Sequence, residues 1–130
     1  MQARDVMRST GLVTASPSET VLDAVRKMFE NNVGSVLVVD GEGRLVGIFT
    51  ERDLVKLVAK GVDVSSVKLE EVMTRKLVTA RPGDPLPMVA SKMVEHGIRH
   101  IPVVDEEGRL VGIISIKPVL RHVLASCSWP

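Results

Sequence analysis

A chain of 130 residues with 45% apolar content can build one compact domain or a pair of small repeats. Two Phe, one Trp and no Tyr make its core aliphatic, and a net charge of +1 with 25% charged residues argues against a nucleic-acid binder that works by bulk charge. No apolar run approaches the roughly 20 residues of a membrane span, residues 1–5 lack the apolar core of a secretory leader, and the single cysteine, Cys127, excludes an internal disulfide; a cytoplasmic protein is expected.

The first predicted element is an extended piece at residues 12–14. A helix follows, because Ser16-Pro17-Ser18-Glu19 has the spacing of a capping box with Pro at the first helical position. Val21, Leu22, Val25, Met28 and Phe29 then fall on one helical face. Asn31-Asn32 marks the helix end as a left-handed cap. Residues 35–39 and 44–49 read as the strands of a hairpin around the turn Asp40-Gly41-Glu42-Gly43. The glycines at 41, 43 and 47 are turn chemistry: they join strand to strand, whereas a dinucleotide fingerprint joins a strand to a helix. Leu54, Val55 and Val58 give a second helix, residues 61–66 a connector, and residues 67–73 lead into a second copy.

The same order then returns. Leu45-Val46-Gly47-Ile48 recurs 65 residues on as Leu110-Val111-Gly112-Ile113, and Val38-Val39-Asp40 as Val103-Val104-Asp105. Val6-Met7 recurs as Val72-Met73 after a slip of one residue. The second copy has an extended piece at 77–79, a cap at Asp84-Pro85, and an apolar face of Leu86, Val89, Ala90, Met93 and Val94 that ends at Gly97. Strands at 100–104 and 109–114 and a helix through Val119, Leu120 and Val123 complete it. Each copy reads β-α-β-β-α, over residues 6–64 and 72–126, in an α/β (α+β) fold. A unit of about 60 residues buries too little surface alone, so the two copies are expected to pack sheet to sheet as a pseudo-twofold pair.

The chemistry concentrates at each second-strand-to-helix junction. Gly47-Ile48-Phe49-Thr50-Glu51-Arg52-Asp53 returns as Gly112-Ile113-Ile114-Ser115-Ile116-Lys117-Pro118, with proline in the place of Asp53. One carboxylate can accept both hydroxyls of a vicinal diol, a helix start offers N–H groups to a phosphate, and Arg–phosphate hydrogen bonds are charge-assisted. The plain alternative is that Thr50 and Asp53 form only a capping box. His96 and His100 are four apart, but Gly97 and Pro102 break a helix there and no metal pair is expected. Cys127 lacks a basic neighbour to activate it. Met7, Met28, Met73, Met88 and Met93 are expected to fill the core, and Trp129 lies in a tail of undecided role.

In this order, twice, these residues resemble the cystathionine-β-synthase (CBS) domain family, as a stand-alone tandem pair. The resemblance rests on the repeated Val-Met starts, the Ile98-Arg99-His100-Ile101-Pro102-Val103-Val104-Asp105 run and the Thr50-Glu51-Arg52-Asp53 junction. It implies a non-catalytic regulatory module that binds an adenosyl ligand (AMP, ADP, ATP or S-adenosylmethionine) in clefts between the repeats. It also implies no required cofactor or metal, a homodimer, and an effector protein still to be identified. In the main cleft Thr50 would contact phosphate, Arg52 neutralise it and Asp53 take the ribose hydroxyls, with Ile48, Leu77, Val78, Thr79, Ile98 and His100 completing the pocket. A second, degenerate cleft would draw on Ser115, Lys117 and Arg99 with Val13, Val33 and Gly34. Pro118 removes its diol acceptor, and Leu37 departs from the pattern where the second copy has Pro102. The competing expectation is a dimerisation scaffold with vestigial clefts. An enzyme is not expected, since no nucleophile–base pair is visible.

Overall fold

A continuous apolar run in the first strand of each hairpin, buried at Val36, Leu37 and Val38 and again from Ile101 to Val104, and an apolar stripe on each long helix give two small sheets packed with helices. The computed structural model describes residues 1–126. In chain order the elements are α1 (Ala3–Val6), β1 (Thr14–Ala15), α2 (Val21–Asn31), β2 (Ser35–Val39), β3 (Leu45–Thr50), α3 (Glu51–Ala59), α4 (Leu69–Val72), α5 (Leu86–His96), β4 (His100–Val104), β5 (Leu110–Ser115) and α6 (Ile116–Ala125). Cys127 and Trp129 lie outside the described residues. The backbone divides into a first compact unit, Val13–Leu77, and a second made of Met1–Leu12 with the chain from Val78 onward.

In the first unit β1 runs parallel to β2, and β2 pairs antiparallel with β3 in the order β1-β2-β3. Asp40 Oδ1 accepts the N–H groups of Glu42 (2.9 Å) and Arg44 (3.0 Å), and Gly43 takes φ +81°, so the turn sequence closes the hairpin as expected. The core gathers Val21, Ala24 and Met28 from α2, Val36, Val38 and Phe49 from the sheet, and Leu69 and Met73. The second unit repeats this with β4 and β5, on which Ala80 forms a single parallel bridge to Val103 where the first unit has a two-residue strand. Its core gathers Leu86, Val89, Met93, Ile101, Val103, Ile114 and Val119, with Ala3.

The predicted left-handed helix ends are present: Asn32 has φ 51° and Gly97 φ 62°. The helix starts differ from expectation. Glu19 does reach back to the Ser16 N–H (2.6 Å), but this closes a turn, and α2 begins at an N-cap Thr20 whose hydroxyl accepts the Asp23 N–H at 3.1 Å. Asp84 likewise caps the Arg81 N–H (2.8 Å), and Pro85 is the N-cap of α5. Phe29 and Val94, placed by periodicity on the core stripe, are 88% and 82% exposed. Val55, Val58, Leu120 and Val123 are exposed as well, and so is Met88. An apolar stripe wider than the groove it faces leaves its outer residues in solvent.

Sequence order and packing part company at the Val-Met segments, which fold as the short helices α1 and α4. The α4 helix opens the second repeat, yet Leu69 is buried in the first unit and its N–H donates to the Glu19 carbonyl at 2.8 Å. The α1 helix opens the first repeat, yet Ala3 is buried in the second unit and its N–H donates to the Asp84 carbonyl at 2.8 Å. The expected boundaries, 6–64 and 72–126, therefore follow the repeat in sequence, while the compact units exchange these two segments. Each strap also lays a methionine on a strand glycine. A Cβ on Gly47 would stand 2.4 Å from Met73 Sδ, and one on Gly112 would stand 2.8 Å from Met7 Sδ. The shared glycines of the two second strands are thus required by close approach.

Candidate ligand-binding site

The end of β3 runs directly into α3, so Thr50 serves as last strand residue and helix N-cap at once. Thr50 Oγ1 accepts the Asp53 N–H (3.2 Å) and donates to Asp53 Oδ2 (3.0 Å), while the Thr50 N–H donates to the same Oδ2 (3.0 Å). The capping box is therefore present, and it occupies one carboxylate oxygen. Asp53 Oδ1 accepts no hydrogen bond from the protein among the described residues. Arg52 is exposed on the first turn.

The hairpin register decides what else stands at this junction. Ser35 lies opposite Thr50, Leu37 opposite Ile48, and the Glu51 N–H donates to the Gly34 carbonyl at 3.0 Å. A Cβ on Gly34 would meet the Glu51 carboxylate carbon at 3.3 Å, so a residue without a side chain is favoured there. Val33 and Gly34 are thus neighbours of Thr50 and Glu51 within the first unit. On the outer side of β3, Thr74 exchanges both backbone hydrogen bonds with Ile48 (3.0 Å each). The Lys27 ammonium donates to the Thr14 carbonyl at 2.8 Å and pairs with Glu19 at 2.9 Å, which fixes β1 beside Val13. A cavity of about 310 Å³ opens on the helix side, between Val25, Phe29, Val33, Leu54 and Glu51; Thr50, Arg52 and Asp53 do not line it.

The second unit places Ile98, Arg99 and His100 beside Ser115 and Lys117. His100 lies opposite Ser115, and the Ile116 N–H donates to the Arg99 carbonyl at 2.9 Å. Ser115 is the N-cap of α6 but makes no side-chain capping bond, because Pro118 has no N–H to offer it. Lys92 donates to the Thr79 carbonyl at 2.8 Å, as Lys27 does to Thr14, and so sets the position of Val78 and Thr79. Desolvation first, then the Arg8 and Arg99 guanidinium charges, hold the His100 imidazole below its ordinary pKa. His96 ends α5 and lies apart from His100 in secondary structure, with the left-handed Gly97 between them.

Sequence reasoning missed Arg8, Thr74 and the lysine pair. The signal for the lysines was present, since Lys27 and Lys92 are related by the repeat offset. Leu77, at the end of the first unit, is partly buried and without a named strand partner.

A family model described as CBS domain matches residues 3–60 and 69–125. An uncharacterized protein of Methanopyrus kandleri is 35% identical over 111 residues, which is 85% of this chain and 57% of that protein. Among solved structures, the CBS domain pair of protein MJ0100, in complex with 5'-methylthioadenosine and S-adenosyl-L-methionine, is 30% identical with a TM-score of 0.83 and covers 98% of both chains. CBSX2 in complex with AMP is 28% identical with a TM-score of 0.81, over 95% of this chain and 96% of that one.

Proposed function

The chain belongs to the CBS domain family, and from that premise we propose that it is a non-catalytic regulatory module that binds an adenosyl ligand at Asp53 and passes the bound state to a partner protein. The observation that carries this reading is the open Oδ1 of Asp53, held in place by the box its other oxygen makes with Thr50. A ribose diol has two hydroxyl donors, and a carboxylate fixed at a helix start accepts them without reorganising. Ile48, two residues before Thr50 on β3, offers an apolar surface, and the exposed Arg52 is free to meet a phosphate. The AMP bound by CBSX2 and the methylthioadenosine and S-adenosylmethionine bound by MJ0100 support the adenosyl class. The chain spans 57% of the Methanopyrus relative's length, so an effector carried in the same polypeptide is compatible with this role.

Calorimetric titration of the full chain with AMP, ADP, ATP, S-adenosylmethionine and methylthioadenosine tests the proposal. Saturable binding of at least one, with matching thermal stabilisation, is expected. No binding by any of them at millimolar concentration would leave the scaffold reading, which the closed Thr50–Asp53 box favours.

The same proposal includes a homodimer. Phe29 and Val94, Val55 and Leu120, and Val58 and Val123 are pairs related by the repeat offset, and all six are exposed. Apolar exposure repeated at equivalent positions within each unit is the kind of surface that association covers. Sedimentation is expected to report a dimer that Phe29→Asp weakens; a wild-type monomer at high micromolar concentration removes this part of the proposal.

A further inference from the structure

The same four positions build a lysine clamp in each unit. In the first unit the Lys27 ammonium reaches from α2 to the Thr14 carbonyl at 2.8 Å. It pairs there with Glu19, whose carboxylate also accepts the Ser16 N–H at 2.6 Å. In the second unit Lys92 of α5 reaches the Thr79 carbonyl at 2.8 Å, and Asp84 accepts the Arg81 N–H at 2.8 Å. Thr14 and Thr79, Ser16 and Arg81, Glu19 and Asp84, and Lys27 and Lys92 are all related by the repeat offset. The two lysine side chains are only 35% and 29% exposed, against the ordinary tendency of lysine to extend into water.

The clamps are not equally closed. Glu19 stands 2.9 Å from Lys27, whereas Asp84, one methylene shorter, stops 3.9 Å from Lys92. The backbone beside each clamp differs in the same direction. In the first unit the Leu37 N–H donates to the Val13 carbonyl at 3.1 Å, and Thr14 and Ala15 both pair with β2. The counterpart of Leu37 is Pro102, which has no N–H to give. The Val78 carbonyl therefore lacks that bond, and Ala80 alone bridges to Val103. We propose that Lys92 is a positioning residue: Val13–Ala15 is fixed by its strand, whereas Val78–Ala80 is an adjustable segment whose placement depends on the Lys92 ammonium. Val78 and Thr79 are among the residues expected to complete the main pocket, so the consequence for binding rests on the adenosyl reading; the difference in stiffness does not. A segment that must be ordered when a ligand binds lowers the affinity by the cost of ordering it. Lys92 reduces that cost, and a closer carboxylate at position 84 reduces it further.

Amide hydrogen exchange on the full chain without ligand tests the clamp itself. The Ala80 N–H, which donates to the Pro102 carbonyl at 2.9 Å, exchanges faster than the Ala15 N–H. Lys92→Met keeps the apolar stem, removes the ammonium and speeds Ala80 exchange about tenfold, the scale of one hydrogen bond to a charged group. Asp84→Glu supplies the missing methylene and slows it, a gain that a merely damaged fold does not produce. Calorimetry with AMP and S-adenosylmethionine tests the consequence. Lys92→Met weakens whichever of them binds, Asp84→Glu tightens it, and Lys27→Met, which opens the equivalent clamp of the first unit, leaves it unchanged. A purely structural role would have the two lysine variants act alike on affinity. If the wild type binds neither ligand, the adenosyl reading falls and the exchange rates still decide the clamp. Equal exchange at Ala80 and Ala15, wild-type Ala80 exchange in Lys92→Met, or faster exchange with unchanged affinity overturns the inference.

Discussion

Leu69→Ala lowers the unfolding free energy by about 2–5 kcal/mol, the range for truncating a fully buried leucine. Read along the sequence, Leu69 opens the second repeat, just past a connector, and a connector substitution changes stability by about 0.5 kcal/mol or less. In the structure it has no exposed surface and packs with Val21, Phe49 and Met73 in the first unit. Its strap is also tied down by backbone, since the Leu69 and Glu70 N–H groups donate to the Glu19 and Pro17 carbonyls at 2.8 and 3.0 Å. The removed side chain leaves a cavity between a β-sheet and a helix that are fixed by their own hydrogen bonds, so collapse around it is limited. Denaturant unfolding of the variant measures the loss. A change of a few tenths of a kcal/mol would mean that the strap contributes little to the first unit, and would remove the exchange of segments from the account of this fold.

That exchange is also the part of the architecture the sequence conceals. The hairpins are legible because Asp40-Gly41-Glu42-Gly43 and Asp105-Glu106-Glu107-Gly108 carry their turn chemistry locally, and the helix ends because Asn32 and Gly97 adopt the left-handed conformation those residue types favour. The destination of Ala3 or Leu69 is a long-range choice between two nearly identical units, and neither periodicity nor propensity distinguishes them. Phe29 and Val94 show a second limit: their spacing is that of a core stripe, and a stripe that faces a partner has the same spacing. At the site, the Thr50–Asp53 junction is legible from its own residues. The grouping of the flanking residues is set by hairpin register. Resemblance joins Ile98 and His100 to Thr50 and Asp53, whereas within each unit the register sets Gly34 against Glu51 and His100 against Ser115. Arg8 and Thr74 follow the Val-Met repeats, and their place on the sheets depends on the straps.

Asp53→Ala weakens the adenosyl ligand by about 1–3 kcal/mol, the scale of a lost charged hydrogen bond, or about 5- to 150-fold in dissociation constant. It also costs about 1 kcal/mol of stability, because Asp53 completes the box at the start of α3. Those two losses must be separated, and the protein contains the control. The start of α2 carries the same box: Asp23 Oδ2 accepts the Thr20 N–H at 2.9 Å, and Thr20 Oγ1 accepts the Asp23 N–H at 3.1 Å. Asp23 stands away from the junction, so Asp23→Ala removes an equivalent cap and leaves the ligand's contacts intact. Apo thermal stability falls by a similar amount in both variants, while calorimetry shows weakened binding only for Asp53→Ala. Equal affinities in the two variants would mean that the Asp53 carboxylate is a helix cap and nothing more. Thr50→Ser keeps both hydrogen bonds of the box and is expected to keep both stability and affinity near wild type. Whether Thr50 itself meets a phosphate is then read from Thr50→Val. Its hydroxyl already donates to Asp53 at 3.0 Å, so it can donate to a phosphate only by giving up that bond. A binding loss for Thr50→Val larger with AMP than with adenosine is the signature of that exchange.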